Sequence, residues 1–399
     1  MHLTGGSPFY LIKDGLQTAY PKLLQNIETD TVIIGGGISG ALSAYYLTNA
    51  GINCILVDAR TIGLGSTCAS TSLLQYELDV PLHTLKEKIG EKNANKAYRL
   101  CGDAIDTTTQ IMNDINFKDY QNTPSLFFST HQSEKKFMLK EFAARKNAGF
   151  HVSFLNKNEL NDEYGLKADY AILSQEGCCT DAYALTYALL NYSIKKGLQV
   201  FDRTAIKKIN YKKNTTLTTE DGYIIKAKNT INATGYEVVN FISKGIVDFF
   251  CTYAVASEQA SEKNQYWKKN VMMWNTDDPY LYMRHTQDNR IMVGGRDKPF
   301  SNSFTRQTLL DKKARELQKD LNKVLPNIEF KKEFVWSGTF GKTKDSLPYV
   351  GAYKKTPNTY YALGFGGNGI TFGVVAAEIL CDIICGKQNL NAKLFSFER

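Results

Sequence analysis

Residues 31–40 read TVIIGGGISG, and this stretch decides the fold expected of the chain. Its first four residues are β-branched and predict a short strand, and apolar residues recur at helical spacing after the glycines until about Gly51. Residues 53–58, NCILVD, then predict a second strand. A strand, a tight turn, a helix and a strand in this order form the unit that a parallel sheet requires.

The glycines of this stretch have the spacing G-x-G-x-x-G, which is typical of dinucleotide-binding sites. Gly35 would form the tight turn, Gly37 would admit a pyrophosphate, and Gly40 would let the helix pack closely on the strand. The pyrophosphate would then rest on the amides of the first helical turn, which contains Ile38 and Ser39. The motif therefore predicts a bound dinucleotide.

The end of the second strand supplies another candidate contact. Asp58 can accept a hydrogen bond from a ribose hydroxyl, and Ala59 and Arg60 follow it directly. These residues do not separate NAD from FAD, because both cofactors present the same pyrophosphate geometry. Both cofactors stay open at this point.

Two further segments are candidates for a cofactor site. Residues 63–72 read GLGSTCASTS, and their small hydroxyl-bearing side chains can donate hydrogen bonds to a cofactor. A polar surface loop is the alternative for this segment. Residues 364–371 read GFGGNGIT and open a helix that ends near Ile384. Amides at such a helix N-terminus can face a ring carbonyl that gains negative charge.

The composition is that of a globular protein with 399 residues, of which 43% are hydrophobic and 22% charged. At about 100–200 residues per domain, this length predicts two or three domains. The net charge is +8, but the basic residues occur in short pairs such as Lys135-Lys136. Such pairs favour solvated faces over a nucleic-acid footprint, so we expect no nucleic-acid partner.

Three other functional classes are disfavoured. Eight cysteines are too few for a disulfide scaffold and lack zinc-like spacing, so we expect no metal site. Residues 1–6 do not resemble a secretory signal, which favours a cytoplasmic protein. Residues 369–385 are apolar but short and contain Glu378 and Asp382, so they predict a buried helix and no membrane span.

Six segments carry a resemblance to a known family and stand in the family's order: residues 32–40, 63–75, 177–181, 231–235, 345–351 and 364–371. On these motifs the chain resembles the FAD-dependent glycine/D-amino-acid oxidase superfamily, which includes sarcosine oxidases and gamma-glutamylputrescine oxidases. Residues 5–10 and 294–297 are most similar to the gamma-glutamylputrescine oxidase branch. The resemblance implies an FAD enzyme.

The resemblance also implies which residues contact an extended FAD molecule. The Ala205 backbone would lie near the adenine, and Thr234 and Gly235 near the pyrophosphate. The full set of expected contacts is Gly35, Gly37, Ile38, Ser39, Gly40, Asp58, Ala59, Arg60, Ser66, Thr67, Ser70, Thr71, Ala205, Ala233, Thr234, Gly235, Gly338, Gly366, Gly367, Asn368, Gly369, Ile370 and Thr371.

An α/β architecture with two domains follows from the resemblance and from the pattern between the terminal motifs. Helices are expected near 133–149, 182–196 and 307–325, and an antiparallel sheet between about 245 and 300. We expect a discontinuous Rossmann-type FAD-binding domain formed by residues 1–78, 155–240 and 336–399. The antiparallel-sheet substrate-binding domain is expected to comprise residues 79–154 and 241–335.

The expected reaction is the oxidation of a carbon–nitrogen bond in a small-molecule amine or amino acid. Family members transfer a hydride from the carbon next to a neutral amine to the flavin, and water then hydrolyses the imine. An NAD-linked dehydrogenase and a noncatalytic or RNA-associated flavoprotein are the alternatives.

The chain departs from the family's pattern at three places. Phe340 stands where amino-acid oxidases of the family have a carboxylate-binding Arg, and Lys342 is a possible substitute. The stretch 336–344 lacks the Cys that tethers flavin in monomeric sarcosine oxidases, so we expect noncovalent FAD. Met292 stands where those enzymes have an oxygen-activating Lys, so the electron acceptor is oxygen or another compound.

Other substrate-site candidates have structural alternatives. Arg284 and Arg296 can reach an anionic substrate or form structural ion pairs. Tyr280 and Tyr282 alternate on an expected strand, so they share a face that lines a cavity or packs in the sheet. His285 is a candidate base or an ordinary surface His, and we expect Asp345 to orient a loop.

Overall fold

The structure is a computed structural model that describes residues 3–211, 214–240, 242, 245–260, 269–300 and 302–399. Its helices are Phe9–Asp14 (α1), Ile38–Asn49 (α2), Leu82–Ile89 (α3), Glu91–Asp114 (α4), Lys135–Asn147 (α5), Lys157–Glu159 (α6), Ala182–Ile194 (α7), Ser303–Val324 (α8) and Gly369–Ile384 (α9). Its strands are Thr4–Gly6 (β1), Ile27–Ile34 (β2), Cys54–Val57 (β3), Leu73–Leu74 (β4), Tyr120–Asn122 (β5), Ser125–Ser129 (β6), Val152–Asn156 (β7), Tyr170–Ser174 (β8), Cys178–Thr180 (β9), Gln199–Phe201 (β10), Ile206–Asn210 (β11), Thr215–Thr219 (β12), Ile224–Asn232 (β13), Asp248–Ser257 (β14), Met272–Asn275 (β15), Tyr282–His285 (β16), Ile291–Pro299 (β17), Lys332–Lys342 (β18), Tyr349–Ala352 (β19) and Thr359–Leu363 (β20).

The first sheet, here called the Rossmann sheet, has the strand order β10-β3-β2-β13-β12-β11, with β20 beside β13 and β19 beside β20. Strands β10, β3, β2 and β13 pair in parallel, and so do β13 and β20. Helix α2 connects β2 to β3, as the sequence predicts, and it packs against α7 and α9. The residues at the ends of β2, β3 and β13 therefore meet at one edge of the sheet.

The second sheet, here called the large sheet, has the order β1-β18-β14-β17-β16-β15-β6-β8-β7. Its pairs are antiparallel except that β15 and β6 run parallel. The short strands β4, β9 and β5 form a third sheet. The expected α/β fold is thus confirmed, with a parallel nucleotide-type sheet and a mainly antiparallel sheet.

The large sheet contains strands from ranges that were expected to belong to the FAD-binding domain. Strands β1, β8 and most of β18 lie in those ranges, yet all three belong to the large sheet. Long-range pairing places them there, since β1 pairs with β18 across more than three hundred residues. The division into two domains by those boundaries stays a prediction.

Helix α9 was predicted from the sequence, whereas helix α4 was not. Helix α9 begins and ends where the pattern predicts, and most of its side chains are buried. Helix α4, the longest helix of the described residues, was not predicted from the sequence. Its buried residues nevertheless recur every one to four positions, as on one face of a helix: Ala94, Ala97, Tyr98, Cys101, Ala104, Ile105, Thr108, Ile111 and Met112. In the described part of the chain, no helix has both the length and the apolarity to cross a membrane.

A buried ion cluster attaches α5 to the segment 77–83. Arg145 donates hydrogen bonds to Glu141 at 2.6 Å and to Glu77 at 3.1 Å, and all three side chains are fully buried. Glu141 also accepts hydrogen bonds from the backbone amides of Leu82 and His83, each at 3.0 Å. Because the segment is held at both ends, the position of Asp79 between them is fixed.

Candidate active site

A cavity of about 410 Å³ lies where the ends of β2, β3 and β13 face the large sheet. Most of the expected FAD contacts line it: Gly35, Gly37, Ile38, Ser39, Asp58, Ala59, Arg60, Ser66, Thr67, Ser70, Thr71, Ala205, Ala233, Thr234, Gly235, Gly338, Gly366, Gly367, Asn368, Gly369 and Ile370. Two expected contacts, Gly40 and Thr371, lie behind the lining within α2 and α9. The structure thus brings residues from seven separate segments to one cavity.

The glycine turn after β2 leaves no room for side chains. Gly35 has a φ of 109°, and a Cβ there would lie 2.5 Å from the carbonyl oxygen of Ala233. A Cβ on Gly40 would collide with the carbonyl oxygen of Gly35, and one on Gly37 would lie 2.9 Å from the Thr67 hydroxyl. This cradle brings backbone amides to the cavity without obstruction, which suits a bulky phosphate group.

The end of β3 holds a buried carboxylate. Asp58 accepts hydrogen bonds from the backbone amides of Gly36 and Arg60, both at 2.7 Å. Burial raises the pKa of Asp58, and the two amides and the charge of Arg60 oppose that rise. Arg60 in turn donates to Glu237 at 2.6 Å, which anchors the turn after β13 to the end of β3.

The hydroxyl-rich segment lies between the two sheets. Thr67 accepts a hydrogen bond from the amide of Ile38 at 3.1 Å, so it covers the N-terminus of α2. Trp336 on β18 donates from its indole to the carbonyl of Ala69 at 2.9 Å, and Ser66 donates to the carbonyl of Thr339 at 3.2 Å. The segment is therefore part of the packed interior and not a surface loop.

The glycine-rich loop before α9 meets a carboxylate that the sequence analysis did not select. The amide of Gly367 donates to Asp79 at 3.2 Å, and a Cβ on Gly366 would lie 2.8 Å from the same carboxylate. Asn368 donates from its side chain to the carbonyls of Gln75 and Glu77, at 3.0 and 2.9 Å. These contacts fix Asp79 at the cavity wall.

The part of the cavity next to the large sheet, here called the chamber, is aromatic and acidic. Its lining consists of Asp79, Thr252, Tyr280, Tyr282, Asp297 and Phe340. The Tyr280 hydroxyl donates to Asp79 at 3.0 Å, and the rings of Tyr280 and Tyr282 are 5.8 Å apart. Burial, followed by the charge of Asp79, raises the pKa of Tyr280, so both phenols of the pair stay neutral at pH 7.

Asp297 is the second carboxylate of the chamber. Its Oδ1 atom is buried and has no hydrogen-bond partner among the described residues. Burial raises the pKa of Asp297 to about 6, a hydrogen bond with Thr252 and the charge of Lys342 lower it, and the charges of Asp79 and Asp278 raise it. The chamber thus contains a carboxylate with unused hydrogen-bonding capacity.

A β-bulge explains why Asp297, and not Arg296, faces the chamber. Along β17, strict alternation from Gly294, which pairs with Tyr282, would place Arg296 on the cavity side. The register against β14 shifts between Cys251 and Tyr253, and Arg296 has a φ of 60°. The additional residue turns Arg296 to the opposite face, where both its Nε and Nη2 bond the carboxylate of Asp320 on α8 at 2.6 Å.

Arg284 lies outside the cavity lining as well. It is buried, with 3% of its surface exposed, and it donates to the carbonyls of Thr71 and Thr180 and to the Tyr10 hydroxyl. Burial lowers the pKa of Arg284 to about 9. Its contact with the carbonyl of Thr71 holds a cavity residue in place, and among the described residues it bonds carbonyls and a hydroxyl and does not form the expected ion pair.

The remaining sequence candidates lie at different distances from the chamber. Phe340, Tyr280 and Tyr282 line it, whereas Lys342 lies beyond the lining with its ammonium 5.4 Å from the ring centres of Phe250 and Phe340. His285 is not a lining residue, and burial followed by the charge of Arg284 lowers its pKa to about 4.

Asp345 and Met292 complete the candidates. Asp345 orients a loop, as expected, since it accepts hydrogen bonds from Arg399 at 2.6 Å and from the Leu347 amide at 3.2 Å. Met292 is buried on β17 with 1% of its surface exposed and does not line the cavity.

The residues of the cavity fit an extended dinucleotide. The glycine cradle can receive the pyrophosphate, and Asp58 lies at the adjacent strand end. The loop 364–369 lies at the N-terminus of α9, and the chamber adjoins it through Asp79. Sequence reasoning missed Asp79 and Thr252 because their approach to the cavity depends on tertiary contacts, and it missed Asp297 because of the bulge.

Comparisons with known proteins give the family to which the chain is similar. The family model described as DAO, FAD dependent oxidoreductase, matches residues 30–383. Glycine oxidase of Bacillus licheniformis is 25% identical over 365 residues, covering 90% of this chain and 93% of that protein. Gamma-glutamylputrescine oxidoreductase of Escherichia coli is 22% identical over 408 residues, covering 95% of this chain and 89% of that protein.

The fold has solved counterparts. The crystal structure of L-proline dehydrogenase from P. horikoshii superposes with a TM-score of 0.79 at 20% identity, covering 94% of this chain and 97% of that one. The family match also decides between the two cofactors that the glycine motif leaves open, in favour of FAD. The family model matches most of the chain, so the chain belongs to the DAO family of FAD dependent oxidoreductases.

Proposed function

We propose that the protein oxidises the carbon–nitrogen bond of a small-molecule amine or amino acid. Similar proteins are named for glycine, gamma-glutamylputrescine and L-proline, each of which contains a carbon bonded to nitrogen. Membership of an FAD-dependent family supplies the redox class, and those names support the substrate class.

The observation that carries this proposal is the continuity of the cavity. One lining runs from the glycine cradle and Asp58 to the chamber walls at Tyr280 and Phe340. A cofactor held along the cradle would therefore have its far end beside a space for a small molecule. The aromatic walls would shield a bound amine from water, which would protect a reactive imine until it leaves the site.

FAD, when bound, supplies the two-electron acceptor for a hydride from the carbon next to nitrogen. The chain's residues supply orientation. Amides of Gly369 and Ile370 lie in the first turn of α9 and in the cavity lining, where partial positive charge favours an electron-rich group. The balance is simple: the amine loses one hydride and one proton, and water then converts the imine to a carbonyl compound and a free amine or ammonia.

The test is a product assay with FAD-loaded protein and a panel of amines, N-methyl amino acids, D-amino acids and gamma-glutamyl amines. We expect one panel class to yield carbonyl compound and released ammonia or amine in equal amounts, matched by the acceptor reduced. Assays with oxygen alone and with an added dye acceptor separate an oxidase from a dehydrogenase. A failure of all classes with both acceptors would overturn the proposal.

We also propose that FAD is bound without a covalent link. Among the described residues that line the cavity there is no Cys, and Cys68, within the hydroxyl-rich segment, directs its thiol to the carbonyl of Gly65 at 3.3 Å. Burial raises the pKa of the Cys68 thiol to about 12, which keeps it protonated and unreactive. Heat or acid denaturation should release all flavin into the supernatant, and flavin retained in the precipitate would contradict this.

A further inference from the structure

The charged side chains that line the chamber are acidic. Asp79 and Asp297 both line it, and the charge of Asp79 raises the pKa of Asp297. Among the described lining residues, Arg60 is the sole Lys or Arg, and it is paired with Glu237 beside Asp58, in the cradle part of the cavity. No lining cation therefore faces the chamber within the described residues.

The two arginines nearest in sequence to the chamber are committed elsewhere. Arg296 is bonded to Asp320 at 2.6 Å through both Nε and Nη2, on the opposite face of the large sheet. Arg284 is buried against backbone carbonyls of residues 71 and 180. Phe340 lines the chamber and the described lining has no arginine near it, so the chamber offers a carboxylate no bidentate partner.

The chamber instead has the features of a cation site. Asp297 and Asp79 are both lining residues, so an ammonium group in the chamber would lie beside two carboxylates. The rings of Tyr280, Tyr282 and Phe340 line the same space, and aromatic faces attract organic cations. Lys342 offsets part of the negative charge, but its ammonium lies over the rings of Phe250 and Phe340 and not in the lining.

We propose that the substrate is an alkyl amine without a carboxylate on the carbon to be oxidised, and that Asp297, together with Asp79, binds it as its ammonium ion. The ammonium then gives one proton to the Asp297 carboxylate, so that the neutral amine is the form that loses the hydride. This rests on the proposed function and names the substrate class of the same site. An α-amino acid would bring its carboxylate close to two like charges without a compensating cation, and such repulsion disfavours binding.

The first experiment compares pairs that differ only in the carboxylate: dimethylamine with sarcosine, pyrrolidine with proline, and putrescine with ornithine. With FAD-loaded protein, we expect at least one amine to be oxidised at a half-saturating concentration about tenfold or more below that of its amino acid. The opposite order would overturn this inference and leave the proposed function standing. If neither partner of any pair is oxidised, the proposed function is in question, and the binding experiment below decides the inference separately.

The second experiment measures binding without turnover, by calorimetric titration of the FAD-loaded protein with tetramethylammonium chloride and, separately, sodium acetate. Tetramethylammonium has no nitrogen lone pair, so it cannot be oxidised as an amine. We expect it to bind with the stoichiometry of one per chain and acetate to bind more weakly. Tighter binding of acetate, or no competition between tetramethylammonium and the best amine, would contradict the inference.

Variants assign the binding to the proposed anchor. D297N should weaken tetramethylammonium binding about tenfold or more, because the partner of the cation loses its charge. D278N is the matched control: Asp278 is exposed and lies outside the cavity lining, so its loss should change binding about threefold or less. D297E, which keeps the charge, should retain more binding than D297N. Equal binding by D297N and the unaltered chain, at equal flavin content, would overturn the role of Asp297.

Discussion

A single hydrogen atom in place of a side chain decides whether the cofactor cradle can form. Gly40 packs so closely on the turn after β2 that a Cβ would collide with the carbonyl of Gly35. That carbonyl belongs to the turn that must present its amides to the pyrophosphate. The glycine spacing could be read from the sequence because this requirement is local and involves residues only five positions apart.

We predict that G40A displaces the turn and loses FAD. Purified G40A should contain about tenfold less flavin per chain than the unaltered protein, since the clash is with backbone that cannot rotate away. G245A is the control, because no atom of the described residues lies within 4 Å of a Cβ added there. Flavin content is measured after denaturation, and circular dichroism checks that each variant is folded. A folded G40A with full flavin content would refute the prediction.

The raised pKa of Asp297 leads us to predict that cation binding depends on pH. Burial raises its pKa to about 6, Asp79 and Asp278 act in the same direction, and Thr252 and Lys342 act against it. Because the carboxylate form is the one that attracts a cation, affinity for tetramethylammonium should rise as pH increases through about 6 and weaken as it falls.

The check is a series of titrations between pH 5 and about 8, a range that spans the shifted pKa. D297N should lose the step near pH 6, because its amide does not titrate there. A step of equal size in D297N would assign the effect to another group, and a flat profile in the unaltered protein would contradict the prediction.

The same residue also marks a limit of sequence reasoning. The alternation of side chains along a regular strand points to Arg296 as the chamber residue, and only the bulge exchanges it for Asp297. The φ of 60° at Arg296 is rare for residues other than glycine, so the bulge could not be predicted from the local sequence pattern. Asp79 was equally hidden, because its contact with Gly367 joins residues 288 positions apart.

At the scale of elements, regular strands and helices followed the sequence where their patterns are strong. The unit β2-α2-β3 and helix α9 could be predicted because glycines, β-branched runs and apolar spacing all agree. Helix α4 was not predicted, although the helical spacing of its buried residues, such as Tyr98 and Ile105, is visible in the sequence. The membership of β1 and β18 in one sheet was hidden, because pairing across the chain leaves no local trace.

The ion cluster of α5 makes a prediction about stability. R145M would leave the buried carboxylates of Glu77 and Glu141 without their cation, so the free energy of unfolding should fall by about 3–5 kcal/mol. The charge of Arg145 has a visible effect, since it lowers the pKa of Glu141 to about 2 although burial opposes this. Urea denaturation followed by circular dichroism measures the change.

K226A is the matched control for that prediction. It breaks an ion pair with Glu28 in which both side chains are more than half exposed, so the free energy of unfolding should change by less than about 0.5 kcal/mol. If R145M were as mild as K226A, the cluster would not hold α5 to the segment 77–83. Other contacts would then have to fix the position of Asp79.

At the scale of the whole molecule, one cavity joins the end of a parallel sheet to the face of an antiparallel one. The parallel sheet supplies a backbone cradle for a cofactor, and the large sheet supplies aromatic and acidic side chains for a substrate. The sequence could predict the two kinds of sheet and the cofactor class. It could not predict which polar residues of the large sheet face the cavity, because that depends on register and on one bulge.

The most direct test of amine oxidation is the visible absorbance of the bound flavin under anaerobic conditions. The FAD-loaded protein is mixed with alkyl amines and with their carboxylated counterparts, and dithionite then gives the fully reduced endpoint. The account predicts that an alkyl amine bleaches the flavin to that endpoint and does so at lower concentration than its amino acid. A flavin that dithionite reduces but that every amine and amino acid leaves oxidised would contradict it.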